Sequence, residues 1–215
     1  MPTLTAHRSA PLHGTVRVPG DKSISHRALM LGAVALGQTR VTGLLEGEDV
    51  HATAAAMRAM GAQVDRLPTG EWHIQGLGVG GLLQPHEDLD MGNSGTAARL
   101  LMGLVGGHEI SVTFVGDKSL SSRPMKRAVE PLSQMGVSFE NEKNDYCLPL
   151  TVHGTGQPIP ISYTLPVASA QVKSAVMLAG LSSPGITTVI EPHPTRDHTE
   201  KMLIALGANI TINDM

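Results

Sequence analysis

The chain has 215 residues, 41% of them hydrophobic and 16% charged, which excludes a disordered polymer and fits one large or two small packed domains. A formal net charge of -3 removes the broad positive field of a nucleic-acid binder, so any anion site must come from local clusters of Lys and Arg. The single cysteine, Cys147, excludes an intrachain disulfide and a multi-cysteine metal centre; with no export or organelle signal in residues 1–14, the expected compartment is the cytoplasm.

In chain order, Thr15 to Val18 reads as a strand that runs through a Pro-Gly turn into a helix of small apolar residues, SISHRALMLGAVAL. A β-rich stretch (TRVTGL), a second helix ending in MRAMGAQV and a hairpin (AQVDRL-PTG-EWHIQG) follow. The glycine run from Gly76 to Gly81 is a turn rather than a phosphate loop, because no Gly-Lys-Ser/Thr follows it. The same order then recurs: NSGTAARLLMGLVG, ISVTFVG, LSQMGVSF and the hairpin VSFENEKNDYCLPLTV, and after that SAQVKSAVMLAGL, ITTVIEP and LIALGANI.

The repeat has physical punctuation. Ser, Thr, Asp and Asn cap the apolar helices, while Gly61, Gly136 and Gly207 stand where a left-handed residue ends the second helices. Those second helices are amphipathic, with Met57, Met60 and Val64, and Val129, Leu132 and Met135, on their inner faces. The first helices are apolar nearly all round, so they belong inside, with methionines filling the core. The expected fold is an α/β (α+β) lobe of three β-α-β-α-β-β units around buried parallel helices. The units span about 19–90, 91–165 and 166–215, the last of them incomplete after the strand ANITIND.

Chemistry gathers at the starts of the apolar helices. Lys22, Ser23 and the free N–H groups of the first turn face one spot, with Arg27 one turn further on. Asn93, Ser94 and Gly95 take the equivalent place in the second unit, and Ser169 and Gln171 in the third. Taken singly, each is either a plain cap or an anion site. Taken together on parallel helices, their positive ends converge on one multiply charged anion. Arg123 and, in the equivalent loop of the third unit, Arg196 offer guanidinium forks to the same side. Lys118 belongs to that loop cluster, and Lys126 and Arg127 read as a solvated helix face. The ten histidines lack helical metal spacing, and the adjacent Ser25 and His26 point apart on a helix, so neither a zinc site nor a nucleophile–base pair is expected.

The segments GDKSISHRALMLGAVALGQTRVTGLLEGEDV, GNSGTAARL, GDKSLSSRPMKR, LPVASAQVKSAVMLAGL and TRDHTEKML, in this order, closely resemble the EPSP synthases (3-phosphoshikimate 1-carboxyvinyltransferases), in wording close to their class II. The resemblance implies transfer of the carboxyvinyl group of phosphoenolpyruvate to the 5-hydroxyl of shikimate 3-phosphate, with no metal and no organic cofactor. It assigns Lys22, Ser23, Arg27, Ser169, Gln171 and Arg196 to shikimate 3-phosphate, and Lys22, Asn93, Gly95, Arg123 and Gln171 to phosphoenolpyruvate. Ala170 stands where other members carry serine, so one hydroxyl contact is absent. The resemblance also implies a second lobe that holds the catalytic carboxylates, so no catalytic acid or base is assigned here; this chain would be the N-terminal lobe. Residues 1–18 would be a strand segment joining that other lobe, and 19–215 the substrate-binding lobe itself. The related UDP-N-acetylglucosamine enolpyruvyl transferases fit less well, because the loop from Gly116 to Pro124 lacks their cysteine. A non-catalytic binding or assembly lobe that needs a complementing chain is the reading from another class.

Overall fold

Asp21 starts the first helix: its carboxylate accepts the Ile24 N–H at 2.8 Å and satisfies a first-turn donor that would otherwise be orphaned. In this computed structural model, which describes residues 3–141 and 145–213, that helix is α1 (Lys22–Val34). It is followed by β1 (Leu36–Val41), α2 (Glu48–Ala59), β2 (Gln63–Arg66) and β3 (Trp72–Leu77). The three strands form an antiparallel sheet in the order β1-β3-β2, with the expected hairpin joining β2 and β3.

The second pass is the complete one. It runs β4 (Leu89–Asp90), α3 (Gly95–Gly106), β5 (Ser111–Val115), a 3-10 turn at Leu120–Ser122, α4 (Lys126–Gln134), β6 (Ser138–Glu140) and β7 (Leu150–His153). Its sheet has the order β4-β5-β7-β6, with β4 parallel to β5 and the other pairs antiparallel. The tip of this hairpin, 142–144, lies outside the described residues, as do 1–2 and 214–215 at the ends of the two expected segments. The third pass has β8 (Ser162–Thr164), α5 (Ala170–Gly180), β9 (Thr188–Ile190) and α6 (His198–Ala205), with β8 parallel to β9.

Two strands expected from sequence are not formed. Residues 15–18 carry no strand, and Val16 and Val18 are 84% and 76% exposed. The slot beside β1 that β4 fills beside β5 is therefore open, and β1 is left as an edge strand. Residues 208–213 likewise carry no strand; their counterpart in the second unit, β6, pairs only with β7, and among the described residues the third unit has no strand equivalent to β7. Pairing also gives β4 to the second unit and β8 to the third, although both lie within the stretches assigned to the preceding units.

The left-handed glycines behave as their positions dictate: Gly61, Gly136 and Gly207 have φ of 97°, 89° and 88° at the ends of α2, α4 and α6. Met57, Met60, Leu132 and Met135 turn their inner faces into one continuous core, where all are fully buried. Trp72, the largest buried side chain, keeps its polar edge paired by donating its indole N–H to Glu46 at 3.3 Å. Among the described residues no helix is long and apolar enough to cross a membrane.

The buried helices α3 and α5 run parallel. Thr96 meets Gln171, Gly103 lies against Ala175, and Gly107 approaches Ser182, so residue numbers rise together along the contact. At its centre a Cβ on Gly103 would collide with the carbonyl oxygen and Cα of Ala175, which is backbone and cannot swing away. Gly103→Ala should therefore destabilise the chain by about 1–3 kcal/mol or more, read as a lower denaturant midpoint. An unchanged midpoint would show that the helices do not approach this closely.

Candidate anion-binding site

The first turn of α1 supplies Lys22 and Ser23. The Lys22 ammonium pairs with Asp49 in the first turn of α2, and Ser23 receives a hydrogen bond from the Arg196 guanidinium at 3.3 Å. Arg27 differs from a simple solvent-facing or ligand-facing cation, because only 4% of it is exposed. Its Nη1 donates to the Ser23 carbonyl (2.9 Å), its Nη2 to the Ser174 hydroxyl (2.7 Å) and its Nε to the Thr199 hydroxyl (2.6 Å). One guanidinium thus ties α1, α5 and α6 with three of its five N–H groups. Burial lowers the Arg27 pKa and the Glu200 carboxylate opposes that shift.

At the second helix start Ser94 caps α3 by accepting the Ala97 N–H, which leaves Gly95 as the first helical residue. Arg123 reaches over it from the following loop, donating to Asn93 at 2.9 Å and to Ser119 at 2.8 Å. Asn93 in turn donates to Asp117 at 2.7 Å, and this bond together with the Leu120 N–H holds the Asp117 carboxyl below its usual pKa. A Cβ on Gly95 would lie 2.8 Å from Arg99 Nη1 and 3.8 Å from Arg123 Nη1, so two guanidiniums flank this glycine.

Arg99 was not singled out in the sequence. It sits one turn into α3 and donates to the Gly95 carbonyl (3.1 Å), the Gln171 side chain (3.4 Å) and the Pro124 carbonyl (3.3 Å). Burial, then the neighbouring charges of Arg123 and Arg127, lower its pKa. The available signal was a lone cation inside an otherwise apolar helix, four residues after a candidate site glycine.

The third helix start completes the arrangement. Ser169 caps α5 by accepting the Val172 N–H, and Gln171 donates to Thr96 at 3.0 Å. Ser169, Gln171 and Arg99 line a cleft of about 570 Å³ together with Lys126 and Arg127. The solvated face read from sequence is thus also one wall of the cleft, with Lys126 3.7 Å from Glu130. Two groups of expected site residues emerge, Ser23 with Arg27 and Arg196, and Asn93 with Gly95 and Arg123. They are joined through α5, whose Ser174 bonds Arg27 and whose Gln171 reaches Arg99, which in turn bonds the Gly95 carbonyl. Arg99, Arg123, Arg127 and Arg196 form no ion pair among the described residues; Arg99 and Arg127 line the cleft, where the carboxylate Glu130 faces Lys126.

The sequence model for EPSP synthase (3-phosphoshikimate 1-carboxyvinyltransferase) matches residues 6–215. The chain belongs to the EPSP synthase family. The 3-phosphoshikimate 1-carboxyvinyltransferase of Novosphingobium aromaticivorans is 64% identical over 95% of this chain and 46% of its own length. That of Parvibaculum lavamentivorans is 60% identical over 99% of this chain and 47% of its own length. A solved EPSP synthase from Acinetobacter baumannii superposes with a TM-score of 0.88 at 48% identity, covering 93% of this chain and 45% of that one. The chain therefore spans about half the length of the EPSP synthases that it matches.

One residue of the first motif makes the helix start pH-sensitive. His26 is fully buried between α1 and α2, with Nδ1 2.7 Å from the Thr53 hydroxyl. Burial, then the nearby Lys22 charge, lowers its pKa to about 4 from 6.5; Asp49 opposes and Arg27 adds to the shift. The folded state thus keeps His26 neutral where the unfolded chain takes up a proton. Its contribution is complete above pH 6.5 and fades as pH falls toward 4, by about 3 kcal/mol in all. Denaturant titrations across that window should show a shallower pH slope for His26→Gln than for the parent chain. Parallel slopes would remove His26 as the cause.

Proposed function

We propose that the chain is the substrate-binding half of a 3-phosphoshikimate 1-carboxyvinyltransferase, working in the cytoplasm as one lobe of residues 19–215. In this reading Lys22, Ser23, Arg27, Ser169, Gln171 and Arg196 hold shikimate 3-phosphate. Lys22, Asn93, Gly95, Arg123 and Gln171 hold phosphoenolpyruvate, with Arg99 between the two groups. The carboxyvinyl group passes from phosphoenolpyruvate to the 5-hydroxyl of shikimate 3-phosphate and phosphate leaves. The observation that carries the reading is the side-by-side start of α3 and α5 under Arg99 and Arg123, cations without ion-pair partners, at the mouth of a cleft.

General acid–base work is assigned to a second lobe, and residues 1–18 to a strand segment that joins it. Two consequences follow. The 215-residue chain alone should release no phosphate above a blank from the two substrates, and a polypeptide carrying the second lobe should restore turnover. Robust turnover by the chain alone would place the acid and base within it and overturn the division.

Binding separates the assigned residues from their neighbours. Arg196→Ala should weaken shikimate 3-phosphate by about 1.5–3 kcal/mol, roughly ten- to hundredfold, in calorimetry. Lys126→Ala, which removes a cation already facing Glu130, should change affinity by about threefold or less. An equal loss at both positions would show a diffuse attraction in place of the assigned contacts.

A further inference from the structure

Lys173 is buried, yet the anion reading does not use it. Its side chain is 4% exposed, and its ammonium lies 2.7 Å from Glu191 and 2.5 Å from Glu200. An apolar side chain of similar volume at such a place is often no less stable than a buried ion group, so this triad calls for a role beyond filling space. Its partners reveal one. Glu191 directly follows β9, and Glu200 lies in the first turn of α6. The two carboxylates therefore bracket the connecting segment 191–197, and one ammonium pins both ends of it.

The segment is also tied from inside. The second oxygen of Glu191 accepts the Thr195 hydroxyl at 2.5 Å, and the next residue is Arg196, exposed and donating to Ser23. Ser174, the neighbour of Lys173 on α5, bonds Thr199, the neighbour of Glu200 on α6, at 2.7 Å. Successive residues of α5 thus lock successive residues of α6, and Arg27 closes the same knot from α1. The remaining oxygen of Glu200 is buried without a partner, which a merely stabilising ion pair would be expected to satisfy.

We propose that Lys173, Glu191 and Thr195 form a positioning relay that holds the segment 191–197 in one path, so that the Arg196 guanidinium stands over Ser23 before a ligand arrives. None of the three touches the ligand. They act through Arg196, by removing the freedom of a long cation on a connecting segment that would otherwise have to be frozen on binding. The inference rests on the reading of Ser23 and Arg196 as a shikimate 3-phosphate contact, and its test distinguishes the two.

Thr195→Val keeps volume and removes the hydroxyl; Lys173→Met removes the ammonium at the centre. Each is made in the 215-residue chain with and without Arg196→Ala, and three quantities are followed: denaturant midpoint, amide exchange of 191–197 by mass spectrometry, and calorimetric affinity for shikimate 3-phosphate. Thr195→Val should leave the midpoint unchanged, speed exchange in the segment, and weaken binding roughly three- to tenfold. Thr195→Ser should restore both, and in the Arg196→Ala background Thr195→Val should cost no further affinity. An equal loss in both backgrounds, or unchanged exchange, would overturn the relay. If the parent chain itself fails to bind shikimate 3-phosphate, the proposed function falls, and exchange alone then decides whether the segment is held as argued. Misfolding of Lys173→Met would leave that decision intact, since Thr195→Val carries it.

Discussion

The contact between Gly103 and the backbone of Ala175 is the constraint on which the site depends. Two helices normally keep their axes 8–10 Å apart because their side chains hold them there. Along α3 and α5 the contact positions are Gly103, Gly106, Ala175 and Ala179, so little side chain intervenes. Close parallel packing brings the two N-termini side by side, which is why Gln171 reaches Thr96 and Arg99 reaches Gln171. Larger residues on this seam would push the two positive helix ends apart and weaken their joint field on any anion between them. The scarcity of aromatics in the chain is the compositional trace of that demand.

Much of this was legible in the sequence, for reasons that are local. Gly61, Gly136 and Gly207 mark helix ends because a left-handed residue is needed there whatever the surroundings. The caps at Asp21, Ser94 and Ser169 likewise serve donors within three residues of themselves. What escaped was set by distant partners. The sequence places Arg27 at the anion site but says nothing of its burial, which comes from Ser174 and Thr199, 147 and 172 residues further along. The TVRV run has the composition of a strand, but composition cannot supply the neighbouring ladder, and those residues stay exposed. Arg99 was hidden because helical periodicity describes only its own helix, whereas its role comes from Pro124 and Gln171.

The cations sort into two groups by what surrounds them. Arg27 and Lys173 are enclosed, and their charges meet hydroxyls, carbonyls or carboxylates fixed by the packing. Enclosure makes Lys173 a brace, whereas Arg27 braces three helices with three of its five N–H groups and keeps two outside that bracing. Arg99, Arg123 and Arg196 instead meet neutral acceptors such as Gly95, Asn93, Ser119 and Ser23, which orient a guanidinium and leave its charge unneutralised. A carboxylate in those places would have satisfied the cation and closed the site to anions. Neutral acceptors impose geometry and keep the electrostatic potential, as the proposed recognition of a phosphate would require.

This division also explains how a chain with a net charge of -3 can keep several arginines without carboxylate partners near its helix starts. The carboxylates nearby are engaged by other groups: Asp49 pairs with Lys22, Glu200 and Glu191 with Lys173, and Asp117 accepts from Asn93. Asp117 illustrates the logic most directly. It binds the amide of Asn93 while the carbonyl of the same side chain receives Arg123, so one neutral residue separates the anion from the cation. The carboxylate thereby orients the guanidinium through an intermediary without pairing with it. The negative charge sets the geometry of the guanidinium, and the positive charge is left without a counter-ion.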